Sequence, residues 1–385
     1  MKTRELLILT RRLWPHCGLT EQSLLDLAEN LRQAGHAVTL ATIQASKEWS
    51  DRISLNGMNL VRFSRPVFGP WSSLRYARSL GRCFASSHFD GIIASGVGEI
   101  AAAATRFANK GTAVLIYVDE SYEGVTGNLH RRHVETCQAA DAVVANSDPV
   151  ARRLRAVDGM PEIQVIEPGI RPAAFPLDDA RLQIRAAFSK AHGVLRIDPN
   201  QRLVVTASRM NDDSQLHDLI TAWSMVARQF PSARLWLLGD GNQSHRVWQR
   251  ILELDMANQI LMPGFFDDWN DIWLAADLYV HVGGATQTGD GLVRALIGGL
   301  PAVSVDYPWT RELFLPSEQK RLVPPGDTNQ LAHALVAALS NRDRLLGAGR
   351  RIHPAIADRF CPQLQADRYL HTIGQSTGIV AEGVT

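Results

Sequence analysis

Residues 282–304 read VGGATQTGDGLVRALIGGLPAVS, a glycine-rich loop, a short apolar helix stopped at Gly298-Gly299, and a strand led by Pro301. A loop of this kind brings backbone N–H groups close to a bound anion or sugar, and the helix behind it adds its positive N-terminal end. Asp290 stands between two glycines at the helix start, and Arg294 follows one turn later on the same face. Both residue types are foreign to a plain core segment.

The same alternation runs outward from this stretch in both directions. On either side, strands are expected at 203–207, 234–238, 260–262, 278–282, 302–305 and 322–323. The clearest intervening helix is 216–228, with apolar positions at Leu219, Ile220, Trp223, Val226 and Ala227. Earlier, an apolar run at 6–10 is followed by helical periodicity at Leu24, Leu27, Ala28 and Leu31, a stop at Gly35 and a strand at 38–42. Further strands fall at 91–94, 113–118, 141–146 and 163–166, with helices at 100–108, 131–140 and 149–157. Two doubly wound α/β units are implied. The dinucleotide fingerprint GxGxxG is missing after the first strand, which argues against hydride transfer.

Composition sets the outer limits. A chain of 385 residues is too long for one ordinary core. A net charge of +1 and a 45% apolar content fit a soluble globular protein and not a nucleic-acid binder. The apolar runs are near strand length, short of the roughly 20 residues of a membrane span. No small-residue cleavage site follows the N-terminal LLILT, which reads as a first strand. Cys17, Cys83, Cys137 and Cys361 form no CxxC pair and have no His cluster nearby, so neither a metal site nor a disulfide framework is expected, and the reducing cytoplasm is the natural compartment.

Two other stretches carry candidate chemistry. Phe68, Trp71 and Tyr76 lie beside Arg75, Arg78 and Arg82, and these three arginines recur at helical spacing. They read either as a solvated helix face or as a surface resting on anionic lipid. Asp119-Glu120 ends the strand at 113–118, where open α/β sheets bind ligands, though capping of the next helix is an equal reading. Residues 171–200 read as the crossover between the two units.

Taken in order, these segments resemble the retaining glycosyltransferase family 4. The likeness rests on CGLTEQSLLDLAENLRQAGHAVTLAT at 17–42, DAVVANSDPVARRL at 141–154 and VIEPGI at 165–170. In the second half it rests on VVTASRM at 204–210, LWLLGDG at 235–241, MPGFFDD at 262–268 and AADLYVHV at 275–282, completed by GGLPAVSVD and VPPGD. The resemblance implies the GT-B fold, two Rossmann-like doubly wound domains facing each other across a cleft. It places an acceptor-side domain at 1–175, a nucleotide-sugar donor domain at 176–355, a helix at 356–373 packing back on the first domain, and a disordered tail at 374–385. It also implies metal-independent transfer of a hexose, with retention at the anomeric carbon, from a nucleoside-diphosphate sugar to a glycan or lipid-linked acceptor. The setting implied is bacterial surface or exopolysaccharide synthesis, in the cytoplasm at the inner face of the membrane.

Several expected positions are changed. An Arg followed five residues on by a Lys usually meets the diphosphate; here Arg209 is kept, but the second position is Ser214. Two glutamates eight positions apart become Thr286 and Arg294, and the position of a catalytic-site His falls at Asp119. In a rebuilt site, Arg209 and Arg294 would neutralise the leaving diphosphate and Asp119 would face the acceptor. The donor would meet Gly18, Gly239, Thr286, Thr288, Gly289, Asp290, Gly291 and Leu292. In a site that has lost catalysis, Asp290 is a helix N-cap and Arg294 a salt-bridge or surface residue of a binding or scaffold protein. A sugar-nucleotide epimerase is a third possibility on the same architecture.

Overall fold

The computed structural model describes the chain apart from residues 1–2, 14–18, 45, 47, 64–70, 120–121, 123–126, 172–177, 192, 209, 211–214, 265–269, 284–288 and 378–385. Two compact units are present, one of Met1–Ile170 with Phe360–Thr385 and one of Arg171–Arg359.

In the first unit the order is β1 (Glu5–Thr10), α1 (Leu19–Gln33), β2 (Ala37–Ile43), β3 (Arg52–Leu55), β4 (Met58–Phe63), α2 (Ser72–Cys83), β5 (Gly91–Ser95) and α3 (Glu99–Phe107). It continues through β6 (Ala113–Val118), α4 (Gly127–Gln138), β7 (Ala142–Ala145), α5 (Asp148–Arg155) and β8 (Ile163–Val165). The sheet order is β3-β4-β2-β1-β5-β6-β7-β8. Its interior strands read as continuous apolar runs because helices cover both faces. All pairings are parallel except β3–β4, a hairpin closed by Asn56-Gly57 with both residues at positive φ. No strand was expected there, although Asn-Gly is a strong hairpin signal.

The second unit runs α6 (Asp178–Ala191), β9 (Leu203–Ala207), α7 (Leu216–Gln229), β10 (Arg234–Leu238), α8 (Ser244–Glu253), β11 (Ile260–Gly264), α9 (Asn270–Ala275) and β12 (Leu278–His281). Then come α10 (Asp290–Ile297), β13 (Ala302–Val305), α11 (Pro308–Arg311), β14 (Leu322–Val323), α12 (Thr328–Ser340) and α13 (Arg342–Ala357). The all-parallel sheet has the order β11-β10-β9-β12-β13-β14.

The stretch expected as a crossover is in part structural. Its α6 clamps the amino edge of the second sheet through Asp277, a carboxylate buried just before β12. Asp277 Oδ1 accepts from Arg181 Nη1 and Arg342 Nε, and Oδ2 accepts from Arg185 Nη2 and the Leu203 backbone N–H, at 2.7–2.8 Å. Burial alone would push this carboxyl up, but Arg185, Arg342, the Leu203 N–H and Arg181 together hold it below the usual carboxylate range.

The chain then returns to the first unit in α14 (Pro362–Thr377), which lays Ala366, Tyr369, Leu370 and Ile373 into the core behind α1. Asn30 Nδ2 donates to the Gly169 carbonyl and to Gln365 Oε1, fixing the helix laterally. Of the disordered tail expected at 374–385, residues 374–377 are helical instead, and 378–385 lie outside the described residues. Gly374 is buried and the helix continues to Thr377, whose hydroxyl donates to the Ile373 carbonyl. The docked face keeps these residues helical despite their polar composition.

Asp277→Ala would leave the buried arginines without their shared counter-charge. It is expected to lower unfolding free energy by about 3–5 kcal/mol in urea denaturation, whereas Asp343→Ala, at an exposed partner of Arg342, should stay within about 0.5 kcal/mol.

Candidate functional site

The second sheet changes direction of winding between β9 and β12. Strands β10 and β11 extend to one side of β9, and β12, β13 and β14 to the other. Chain connections diverge at such a switch point and leave a crevice at the carboxyl ends of the strands, which is where open α/β sheets bind ligands. The loops leaving Ala207 and His281 both start there, and the second of them leads into α10.

Close approach of α10 to the sheet depends on two glycines. Gly291 faces Tyr279 and Ala207, and a Cβ at this position would collide with the Tyr279 hydroxyl. That hydroxyl is within 3.3 Å of both the backbone N–H and the carbonyl of Ala207, so it ties β12 to the end of β9. Gly289 is the N-cap with φ of +60°, and a Cβ on it would run into the indole ring of Trp309. The first turn of a helix has N–H groups with no intrahelical acceptor, and here that turn is held at the switch point.

Asp290 is the first residue inside α10, not its cap; Gly289 occupies the cap position. Arg294 is also not a surface residue. Its side chain is 6% exposed, and Nε lies 3.3 Å from Asp290 Oδ2. Each offsets the charge of the other within one helical turn. Leu292, expected among the donor contacts, is fully buried.

Around this helix the loops are tied down. Gly239, at φ of +111°, lies so close to the Ser208 carbonyl that a Cβ would strike it, and its N–H donates to the Gly264 carbonyl at 3.1 Å. Met210 N–H donates to the Asp240 carbonyl and Gln243 N–H to the Met210 carbonyl. Gln215 Nε2 donates to the Tyr307 hydroxyl at 3.2 Å, joining the loop after β9 to the one after β13. Arg209, Thr286 and Thr288 of the expected donor set, and Gly18 from the first unit, lie outside the described residues.

Two side chains with no forecast role complete the second-unit site. His281 ends β12, is 3% exposed, and meets the Trp309 ring edge-on at 5.3 Å. Burial pushes its imidazole down to about 4, so it is neutral at pH 7. An aromatic pair at the end of one strand and in the short helix after the next has no sequence periodicity to reveal it. Among the described residues no cluster of three His, Cys, Asp or Glu has the spacing of a metal site.

In the first unit, Asp119 follows β6 at the carboxyl edge and is 4% exposed. The next helix opens only at Gly127, so Asp119 does not cap it. Its carbonyl accepts from the Tyr122 N–H at 3.2 Å, and Asn146 follows the neighbouring β7 with its N–H on the Val118 carbonyl. Arg75, Arg78 and Arg82 are exposed on α2, with Tyr76, Ala77 and Leu80 turned into the core.

Residues 20–174 match the model for Glycosyltransferase Family 4, and residues 188–351 match that for Glycosyl transferases group 1. The chain belongs to the family 4-like glycosyltransferases. This family's GT-B fold accounts for both Rossmann-like units. Sucrose-phosphate synthase from Thermosynechococcus elongatus superposes with a TM-score of 0.74 at 17% identity, over 97% of this chain and all of its own. Anabaena HepE, solved in complex with UDP and glucose, gives 0.73 at 18% identity over 97% of this chain and all of its own. Among curated glycosyltransferases, the lipopolysaccharide core biosynthesis enzyme LpsE of Rhizobium meliloti is 23% identical over 60% of this chain. The phosphatidyl-myo-inositol mannosyltransferase of Mycobacterium leprae is 32% identical over 34% of it. The match spans 64% of the first of these relatives and 36% of the second.

The Gly289–Trp309 contact is open to a direct check. Gly289→Ala is expected to destabilise this glycosyltransferase by about 2–4 kcal/mol, combining overpacking with a left-handed backbone. Trp309→Ala in the same chain should recover roughly half of that loss in thermal unfolding. An equal loss in both backgrounds would contradict the contact.

Proposed function

We propose that the protein is a retaining hexosyltransferase that moves a sugar from a nucleoside-diphosphate sugar to a glycan or lipid-linked acceptor in bacterial surface or exopolysaccharide synthesis. The observation that carries this reading is the N-terminus of α10, held at the switch point by Gly291 against Tyr279 and Ala207. Backbone N–H groups at that position suit the oxygens of a diphosphate.

The charges decide how the site works. A carboxylate in the first turn of α10 opposes an incoming diphosphate, and Arg294 offsets it from one turn away. Arg294 therefore serves the diphosphate by neutralising and orienting Asp290, which is left to accept hydroxyls of the donor sugar. Arg209 completes the donor contacts by family resemblance, and Thr286 and Thr288 do so as substitutes in a rebuilt site, with backbone groups of Gly239, Gly289 and Gly291. Asp119 orients the acceptor hydroxyl. Positive side chains and the helix end then stabilise the leaving diphosphate, the task a divalent ion performs in other transferases. Activity that survives excess EDTA is the corresponding expectation.

One observation favours a second reading, a nucleotide-sugar binding protein without transfer. Asp290 and Arg294 are both buried and pair within one helical turn, as they would if the helix start were only structural. The two readings separate on product analysis with UDP-, GDP- and ADP-sugars.

Calorimetry with UDP, GDP and ADP is expected to show binding that Arg209→Ala and Arg294→Ala each weaken at least tenfold. Asp290→Asn should keep or tighten nucleotide binding while transfer is lost. No binding of any of the three nucleotides overturns the proposal.

The arginines of α2 are assigned to peripheral contact with the inner face of an anionic membrane. Trp71, 65% exposed at the start of α2, lies on the same side as Arg75, Arg78 and Arg82 by helical spacing. Phe68, which completes this aromatic–basic stretch in the sequence, is outside the described residues. No described helix is long and apolar enough to cross a membrane. At about 1 kcal/mol per basic residue, replacing all three arginines by Ala should weaken sedimentation with phosphatidylserine vesicles by about a hundredfold.

A further inference from the structure

The inner face of the first sheet is apolar along β1, β2 and β4 at Leu7, Leu9, Ala41, Ile43, Val61 and Phe63, where α2 and its following loop cover it. Toward the amino ends of the strands the same face turns polar. Thr39 pairs with Asn59, and Asn59 pairs with Ser54, so three polar side chains stand in a row across three neighbouring strands. Buried faces of such sheets are apolar, and this row is not buried, because α2 ends at Cys83 before reaching it. What remains is a cleft of about 650 Å³, inside the range of roughly 300–1,000 Å³ of small-molecule sites.

The opposite wall is the loop after α2, carrying Ser86, Ser87 and His88, backed by Phe84 and Phe89 in edge-to-face contact at 5.4 Å. Both walls are fixed in place. Arg52 Nη2 donates to the Cys83 carbonyl, Ser87 N–H to the Phe84 carbonyl, and the Thr112 hydroxyl to the Phe89 carbonyl. The polar side chains lining the cleft are free of such duties: among the described residues, Thr39, Ser54, Asn59, Ser86, Ser87 and His88 make no side-chain hydrogen bond.

The chemistry of the lining selects its ligand. Glu5 and Arg52 cancel, so there is no net positive charge for a phosphate. Phe84 and Phe89 are buried, leaving no apolar face wide enough for a lipid or peptide. Burial pushes the Cys83 thiol up, which disfavours a free thiolate. Hydroxyls, an amide and an imidazole match the hydroxyls of a neutral sugar. The row of three strands spans about 10 Å, the reach of two linked pyranose rings.

We propose that this cleft is a second saccharide site, at the amino edge of the first sheet, taking two hexose units of a neutral glycan. It lies at the opposite end of the strands from Asp119 and goes beyond the transferase reading, which it does not need in order to stand. A glycan held here is anchored without contact with Asp119.

Saturation-transfer NMR of the full chain with maltose, cellobiose and lactose tests this. Transfer to at least one disaccharide is expected in the native protein. Asn59→Trp on the floor and Ser87→Trp on the wall should each fill the cleft and reduce that signal at least fivefold, with far-UV circular dichroism unchanged. If Asn59→Trp fails to fold, Ser87→Trp decides alone. No transfer to any of the three sugars, or undiminished transfer in a folded Ser87→Trp protein, overturns the proposal. Nucleotide calorimetry on the same variants should be unchanged, so loss of the donor reading and loss of this one are told apart.

Discussion

A helix can present its N-terminus at the edge of a sheet only if its backbone comes close enough, and in the second unit that depends on position 291. Any side chain there would strike the Tyr279 hydroxyl. Tyr279 in turn holds the end of β9 through Ala207, so helix, strand and switch point are fixed by one contact. Gly289 repeats the logic on the outer side, where its missing Cβ admits the Trp309 ring. The anion-binding end of α10 is thus built from absent atoms, packed around to native density.

Two buried ion-pair arrangements show what charge does in this unit. Around Asp277, several arginines and one backbone N–H share a single carboxylate at the amino edge of the sheet, far along the strands from the site. That arrangement locks α6 and α13 to β9 and β12, and removing its centre strands uncompensated charge. At the carboxyl edge, Asp290 and Arg294 pair within one helix turn. A contact between residues four apart is local to its helix, and it leaves a carboxylate oriented at the helix start.

The alternating pattern of strands and helices was legible because apolar runs, glycine stops and helical periodicity are local properties of the chain. The main omission was local too: Asn56-Gly57, flanked by Ile53, Leu55, Met58 and Leu60, carries the hairpin of β3 and β4. The tail was misplaced for a different reason. Residues 374–377 are small and polar, and they stay helical because Tyr369, Leu370 and Ile373 dock that helix on the first unit. Composition does not register such a contact.

By itself the sequence determined two α/β units, the glycine-framed helix start, the positions of Asp290 and Arg294, and the family to which they belong. These follow from spacing along the chain, which periodicity and motif order record directly. Only the tertiary structure decided that Gly289 and not Asp290 caps α10, that Arg294 turns to Asp290 instead of solvent, and that His281 and Trp309 stand beside the site. The last of these depends on residues far apart in sequence meeting beyond the ends of β12 and β13, and the first two on how closely α10 packs against the sheet. Which side chain fills a space, and which charge is neutralised there, is set by packing across strands, and no local pattern encodes it.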